Sequence, residues 1–170
     1  DVATGVDDLR LALDSISFAP EVEARAVPAR DVTAFQMARF TNSTDEILLP
    51  GMAVLMRDGA VIRTTDLPRL APGEEAELGF GAIEGLRLTA IYPTRAEGDE
   101  GFIMTSNRQE VTTRYTIENL TEKPWTVRML DAVSFAEQED LEIEVTADPA
   151  PVETDVDDMP GLWAWSLEVA

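Results

Sequence analysis

The sequence contains no histidine and no cysteine among its 170 residues. The first absence removes the side chain that most often serves as a general base near neutral pH. The second removes thiolate nucleophiles and disulfides, and together the two absences remove the zinc sites that are built from Cys and His. The composition therefore weighs against most enzyme mechanisms, and we expect a protein without catalytic activity.

Long apolar segments are also missing. No run approaches the roughly 20 apolar residues that a membrane-spanning helix needs, so we expect no membrane insertion. The first five residues, Asp-Val-Ala-Thr-Gly, have neither the basic start nor the apolar stretch of a signal peptide. Because the sequence also begins without methionine, we interpret it as a mature or excised fragment of a longer protein.

Basic residues are few, and the net charge is −20. Such a surface repels the phosphates of nucleic acids, so we expect no nucleic-acid partner. The charge is uneven, because twelve acidic residues follow Arg128, the last basic residue. We interpret the acidic side chains mainly as a solvated face that maintains solubility. A cation site and a docking surface for a basic partner remain the alternatives.

Alternation of apolar and polar residues predicts strands through most of the chain. The clearest local signal is Asp58-Gly59, which lies between the apolar runs 52–56 and 61–64. Asp-Gly favours a two-residue hairpin turn because both positions need a positive φ. The other predicted strands lie at 9–13, 22–26, 34–40, 76–80, 86–92, 112–117, 125–130, 141–145 and 163–169.

This pattern predicts an all-β fold, namely an antiparallel, immunoglobulin-like β-sandwich of about nine or ten strands. We expect a single domain over residues 1–170, with a possible boundary in the loop at 93–101. Trp163 and Trp165 share one face of the last predicted strand. We expect both of them, with Trp125, in the sandwich core. An exposed aromatic platform that binds sugars is the alternative.

Short motifs, mainly turns, follow one another in a specific order along the chain. They are Phe40-Thr41-Asn42-Ser43, Leu48-Leu49-Pro50-Gly51, Arg57-Asp58-Gly59, Ala71-Pro72-Gly73-Glu74, Leu78-Gly79-Phe80-Gly81, Glu100-Gly101-Phe102-Ile103, Ile117-Glu118-Asn119-Leu120, Glu137-Gln138-Glu139-Asp140, and Gly161 with Trp165. In order and spacing this series resembles the C-terminal domain of mucoidy-inhibitor-A-type bacterial proteins, a domain of unknown function. The resemblance extends from about residue 8 to the end of the chain.

The resemblance implies a β-rich domain in the bacterial periplasm or cell envelope. Proteins of that type usually carry an N-terminal domain and a helical, coiled-coil-like segment, and neither is present here. No catalytic residues are established for the family, so none is transferred. We therefore expect a non-catalytic structural or interaction module that contacts a protein partner or another domain of its own chain. The alternative is a domain that binds carbohydrate (exopolysaccharide) or that binds in a calcium-dependent way.

The best candidate for a cation site is the cluster Asp155, Asp157 and Asp158. Calcium takes six to eight oxygen ligands, and carboxylates on a flexible loop can supply them. The spacing does not match an EF-hand, which needs a glycine and a closing glutamate at fixed positions. Calcium is therefore a possible ligand here and no other cofactor is expected. A weaker candidate of the same kind lies at 97–100.

Two further patterns have simpler structural interpretations. A pair of carboxylates could hydrolyse glycosides without histidine or cysteine, but Glu75 and Glu77 occupy the outward positions of a predicted strand. A catalytic acid needs an apolar setting that raises its pKa. Asn42-Ser43-Thr44 and Asn119-Leu120-Thr121 match the N-glycosylation pattern, yet both lie between predicted strands. We interpret them as turns.

Overall fold

The computed structural model describes residues 14–91, 111–136 and 142–170. Within these ranges the fold is all-β, as predicted, and no helix there is long and apolar enough to cross a membrane. The predicted strand at 9–13, the predicted domain boundary at 93–101 and the weaker cation candidate at 97–100 lie outside the described residues. The strands of the described part are β1 (Glu21–Ala26), β2 (Thr33–Thr41), β3 (Gly51–Arg57), β4 (Ala60–Leu67), β5 (Glu75–Ile91), β6 (Arg114–Asn119), β7 (Trp125–Ala132) and β8 (Leu162–Val169), with a 3₁₀ turn at Val156–Asp158.

Six strands form one sheet in the order β6-β5-β2-β1-β7-β8, and β3 pairs with β4 in a separate sheet. Among the described strands every pair is antiparallel except β1 and β7, where Ala24 lies beside Val127 and Ala26 beside Met129. The prediction of a purely antiparallel arrangement is wrong at this pair, and the sheet is mixed. Period-two patterning cannot reveal this, because it reports which side chains share a face and not which strands become neighbours.

The strands predicted at 76–80 and 86–92 are one strand, β5, of 17 residues. Its first half pairs with β2 and its second half pairs with β6. The register with β2 shifts twice, and Gly81 and Gly85 have φ of +86° and +100°. Left-handed glycines are typical of β-bulges, which bend a strand without ending it. The two glycines therefore mark bends in a continuous strand.

The hydrophobic core lies on one face of the six-stranded sheet. Side chains from the two outermost strands, Ile117 of β6 and Leu167 of β8, pack against the same buried cluster. The amide of Asn119 also donates a hydrogen bond to the backbone oxygen of Val169 at 3.2 Å. Since β6 and β8 are the opposite ends of the sheet, the sheet curls until it is nearly closed like a barrel. The buried cluster consists of Ala24, Ala26, Ala34, Ile83, Leu86, Leu88, Val127, Met129 and Trp165.

The strand predicted at 141–145 is not observed. Leu141 lies outside the described residues, and 142–147 form no strand. Ile143 and Val145 are half-buried while Glu142 and Glu144 are exposed, so the side chains alternate as the pattern predicts. A strand also needs a partner with free backbone groups, and the sequence pattern carries no information on that partner.

An excursion of residues 42–74 separates β2 from its neighbour β5, and the β3–β4 hairpin makes up most of it. We call this hairpin, residues 51–67, the arm. Two rungs of backbone hydrogen bonds connect the arm to the sheet. The N–H of Asn42 donates to the oxygen of Glu74 at 2.8 Å, and Leu48 and Leu70 exchange bonds of 2.9 and 3.0 Å. The arm therefore extends the β2–β5 ribbon beyond the six-stranded sheet.

Candidate interaction surface

The arm presents a largely apolar face to solvent, on which Asp66 of β4 lies opposite Met52. Met52, Val54 and Met56 alternate along β3 and share one side, and Val61 of β4 lies opposite Met56. These four residues are 78%, 56%, 54% and 63% exposed, respectively, and we call them the arm face. Single exposed apolar residues are normal, whereas a contiguous set is typical of an interaction surface.

The hairpin turn that creates the arm is the one that the sequence predicts. Asp58 and Gly59 have φ of 51° and 80°, and Arg57 pairs with Ala60 across the turn. Two consecutive positive φ values match the twist of the flanking strands, which is why Asp-Gly favours this turn. The prediction of a two-residue hairpin is confirmed.

The other side of the arm contacts the rest of the protein. Leu55 is buried, and the guanidinium of Arg57 donates a hydrogen bond to the side-chain oxygen of Gln36 on β2 at 2.7 Å. Ile62 approaches β5 so closely that a Cβ on Gly81 would lie 3.4 Å from its Cγ2 atom. These contacts fix which side of the arm faces inward. The arm face is consequently held toward solvent.

The base of the arm depends on a buried amide. Asn42 is 0% exposed, and its Nδ2 donates to the backbone oxygens of Glu46 and Leu70 at 2.8 and 3.1 Å. Its Oδ1 accepts hydrogen bonds from the backbone N–H and the hydroxyl of Thr44 at 3.2 and 2.7 Å. The predicted turn at Asn42 is confirmed. Because the Nδ2 atom is buried and fully engaged, it is not a glycosylation acceptor in the folded protein.

The arm differs in charge from the rest of the chain. The arm contains two arginines and two aspartates and so has no net charge, whereas the whole chain has −20. The charges are also unequal between the two strands. β4 contains Arg63 and Asp66, while β3 is uncharged from Gly51 to Met56. The arm is therefore an electrically neutral, largely apolar projection from an acidic protein.

The predicted calcium ligands lie in the turn before β8. Asp155, Asp157 and Asp158 all have left-handed φ values of 54–59°. Asp155 Oδ1 accepts a hydrogen bond from the backbone N–H of Gly161 at 2.7 Å, so one of its oxygens has a structural partner. In the described ranges no group of three or more acidic side chains is arranged to hold a metal. The calcium site stays a prediction.

The three tryptophans face the core and do not form an exposed platform. Trp165 is buried, and its indole N–H donates to the backbone oxygen of Pro149 at 2.9 Å. Trp163 and Trp125 are half-buried and pack against the buried cluster. The prediction that the tryptophans belong to the core is confirmed for Trp165, and the other two lie at its edge.

The outer face of the six-stranded sheet carries a network of charges. Arg25 donates hydrogen bonds of 2.6 Å to Glu23 and Glu77. The bond from Arg25 lowers the pKa of Glu77 and in turn raises the pKa of Arg25. A general acid needs the opposite shift. A cavity of about 260 Å³ next to this network is lined by Glu21, Val22, Glu23, Met37, Arg39, Glu77 and Thr126.

The arm face was not predicted from the sequence. Alternation of Met52, Val54 and Met56 indicates that one side of β3 is apolar, and such a side is normally buried. One feature of the sequence could have pointed to the arm face: β3 is uncharged on both sides, because the inward positions are Ala53 and Leu55. When a strand is apolar on both sides, one side packs against the rest of its own domain, and the other side is expected to contact a second apolar surface. Nothing in the pattern shows whether that contact lies within the same chain.

Comparisons with known proteins relate the chain to a family and do not add an activity. Residues 8–170 match the sequence signature of a domain of unknown function, DUF4139. The Caenorhabditis elegans protein F37C4.5 is 23% identical over 150 residues, which are 88% of this chain and 27% of that protein. The chain thus spans about a quarter of the length of this curated relative. No solved structure matches the chain. Since the signature covers nearly the whole sequence, the chain belongs to the DUF4139 family.

Proposed function

We propose that this domain is a non-catalytic protein-interaction module and that the arm face is its contact surface. The exposed set of Met52, Val54, Met56 and Val61 carries the proposal, because contacts on the other side of the arm hold it toward solvent. Methionine side chains are flexible and are common on binding surfaces. The occupant is a polypeptide, because a free strand edge offers backbone hydrogen bonds that a polypeptide can complete.

The setting of the module is a second part of the proposal. We place it in the bacterial periplasm or cell envelope, as the C-terminal domain of a mucoidy-inhibitor-A-type protein. This part rests on the resemblance between motifs alone, and the nematode relative shows that a similar segment also occurs in an animal protein. Cell fractionation of the tagged full-length protein tests the location, and recovery from the cytoplasm would contradict it.

The complete architecture is likewise proposed. We retain an immunoglobulin-like sandwich of nine or ten strands in one domain for the entire chain, which the all-β fold of the described residues supports. An experimental structure that includes 92–110 and 137–141 tests this proposal. A closed barrel without a second sheet layer would contradict it.

The non-catalytic part is supported by the chemistry of the acidic residues. The carboxylate network on the outer face of the sheet places Glu77 beside Arg25, which lowers the pKa of Glu77. That environment favours a permanent charge and not proton transfer near neutral pH. Binding of polysaccharide has weaker support, because sugar-binding platforms use exposed aromatic rings and the three tryptophans face the core.

Site-specific photo-crosslinking in the native host tests the module directly. A photoreactive amino acid replaces Val54 on the arm face or, as a matched control, the exposed Val152 near β8. We expect position 54 to give discrete, protease-sensitive adducts that position 152 does not give. Adducts that resist protease but are degraded by glycosidases would favour the polysaccharide alternative. Equal adducts at both positions, or none at 54, would contradict the proposal.

A resident metal is not part of the proposal, and thermal unfolding checks this. We expect the same Tm in excess calcium, in excess magnesium and with a chelator. A calcium site filled at about 100 times its Kd would add roughly 2.7 kcal/mol to the free energy of unfolding. For a chain of this size that gives an increase in Tm of roughly 5–10 °C. A calcium-specific increase of that order would establish the site at 155–158 and favour calcium-dependent binding.

A further inference from the structure

The outer edge of β3 is the least protected strand edge in the described part of the chain. β3 pairs with β4 alone there, so the N–H and C=O groups of its other edge have no strand partner. Proteins usually protect such edges with charges, prolines or covering segments. The other outer edges have such protection: β4 and β6 both contain charged side chains, and backbone bonds from 152–153 cover β8 at Ala164. β3 has no charged residue before Arg57.

β3 is also complementary to a second copy of itself. An antiparallel pair of two β3 strands centred on Val54 aligns all seven residues of Gly51–Arg57. Met52 then lies opposite Met56 of the second strand, and Ala53 lies opposite Leu55. Arg57 lies opposite Gly51, which has no side chain. Every cross-strand pair is therefore apolar or unopposed, and no like charges face each other.

We infer that the arm binds a second copy of this chain by antiparallel pairing of the two β3 strands. This inference rests on the proposed function and names its partner. The product is a four-stranded sheet, β4-β3-β3-β4, with a two-fold axis at Val54, and such isologous contacts are the commonest form of homodimer. A two-stranded hairpin is marginal in isolation, and additional strands stabilise it. The uncharged strand also permits two chains of net charge −20 to meet where neither presents acidic side chains on the pairing strand.

The first test is the oligomeric state of the 170-residue chain by sedimentation over a wide range of concentrations. We expect a monomer–dimer equilibrium that Val54→Lys weakens about tenfold or more, since it places two cations opposite each other. Val61→Lys is the matched control, because Val61 is equally exposed on the same face but belongs to β4. We expect Val61→Lys to leave the dimer nearly unchanged. Mixing Val54→Lys with Val54→Glu should restore pairing as a heterodimer.

A second test uses the absence of cysteine from the chain. Residues directly opposite in an antiparallel pair have Cα atoms about 4.5–5.5 Å apart, which is within reach of a disulfide. Val54→Cys should therefore form a disulfide-linked dimer on mild oxidation. Val61→Cys should not, because two intervening strands separate the two copies of β4 by about 14 Å. Far-UV circular dichroism checks that each variant is folded.

The outcomes separate this inference from the proposed function. A wild-type chain that remains monomeric at all concentrations overturns the inference. Loss of the dimer in both lysine variants also overturns it, because that result indicates face-to-face packing of the arms. If either result is obtained while Val54 still crosslinks to a different protein, the interaction module stands and only the second copy is excluded. If the crosslinks are absent as well, both proposals fail.

Discussion

Two turns of this domain have nearly the same hydrogen bonds in different surroundings. In each turn the asparagine Oδ1 accepts from the N–H and hydroxyl of the threonine two residues later. In each, Nδ2 donates to a backbone oxygen four residues later at 2.8 Å and to a more distant segment. Asn42 is completely buried at the base of the arm, whereas Asn119 is half-buried where β6 meets β8.

The comparison separates what a local sequence specifies from what its surroundings add. Asn-x-Thr produces the same turn twice, so the turn itself needs no burial. The distant acceptor differs: Asn42 reaches Leu70, which returns from the arm, and Asn119 reaches Val169 at the end of the last strand. Each turn therefore joins two distant segments. The energetic value of the joint depends on whether water can replace the asparagine.

The largest expected effect is that of Asn42→Ala. The substitution removes the buried amide's hydrogen bonds to Glu46, Leu70 and Thr44 in a site that excludes water, and it creates a cavity. We expect the free energy of unfolding to decrease by about 3–4 kcal/mol, which lowers Tm by roughly 10 °C. Hydrogen exchange should show faster exchange in the arm (51–67) than in the six-stranded sheet.

Ser43→Ala is the matched control for this prediction, because Ser43 is exposed in the same turn and its side chain has no hydrogen bond to any of the described residues. We expect a change within about 0.5 kcal/mol. Equal stability of the two variants would show that the buried amide does not hold the arm base.

Asn119→Ala should have a smaller effect in the matching turn. Nδ2 of Asn119 donates to Lys123 and Val169, but the site is half-buried and water can approach it. We expect a loss of about 1–2 kcal/mol in urea unfolding. Exchange should increase at β6 and β8 and not in the arm. A loss as large as that of Asn42→Ala would mean that burial does not determine the value of the turn.

For the threonines of the two turns, we expect the larger effect in the half-buried turn and not in the buried one. The hydroxyl of Thr121 accepts a hydrogen bond from the indole N–H of Trp125 at 3.1 Å, and Thr44 has no tryptophan neighbour of this kind in the described structure. Thr121→Val should lower the free energy of unfolding by about 1 kcal/mol and change the tryptophan fluorescence spectrum. Thr44→Val is the control, and its spectrum should match the wild type. Identical spectra for both variants would contradict the indole bond.

Much of the fold could be predicted because its signals are local. The Asp58-Gly59 turn, the two asparagine turns and the strands β1, β2, β7 and β8 each depend on residues within a few positions of one another. The continuous β5 was missed since Gly81 has the same sequence appearance in a bulge as in a loop. The parallel pairing of β1 with β7 was missed because it joins segments about a hundred residues apart.

The candidate surface was less predictable than the fold. A period-two pattern reports that Met52, Val54 and Met56 share a side, but it is the same pattern that buries Leu86 and Leu88 in the core. Exposure depends on whether another layer covers that side, which is a property of the whole topology. At the acidic turn 155–158 the sequence shows many carboxylates and so predicts a cation ligand. It does not show that Asp155 Oδ1 accepts a hydrogen bond from the backbone N–H of Gly161.

Unfolding in acid is the most selective test and has the smallest expected effect. The asparagine side chains of the two turns do not titrate, whereas the ion pair of Arg25 and Glu77 does. Glu77 joins β5 to Arg25 of β1 across β2, and its pKa lies below the ordinary value of 4.5 because Arg25 bonds to its charged form. The stabilisation is therefore present above pH 4.5 and is lost as the pH falls through the lowered pKa. We expect Glu77→Gln to cost up to about 1 kcal/mol at neutral pH and to weaken the acid sensitivity of urea unfolding.

Glu75→Gln on the same strand, where the exposed carboxylate has no ion pair in the described structure, is the control and should keep the wild-type profile. If Glu77→Gln keeps that profile as well, the acid sensitivity of unfolding does not arise from the pair of Arg25 and Glu77.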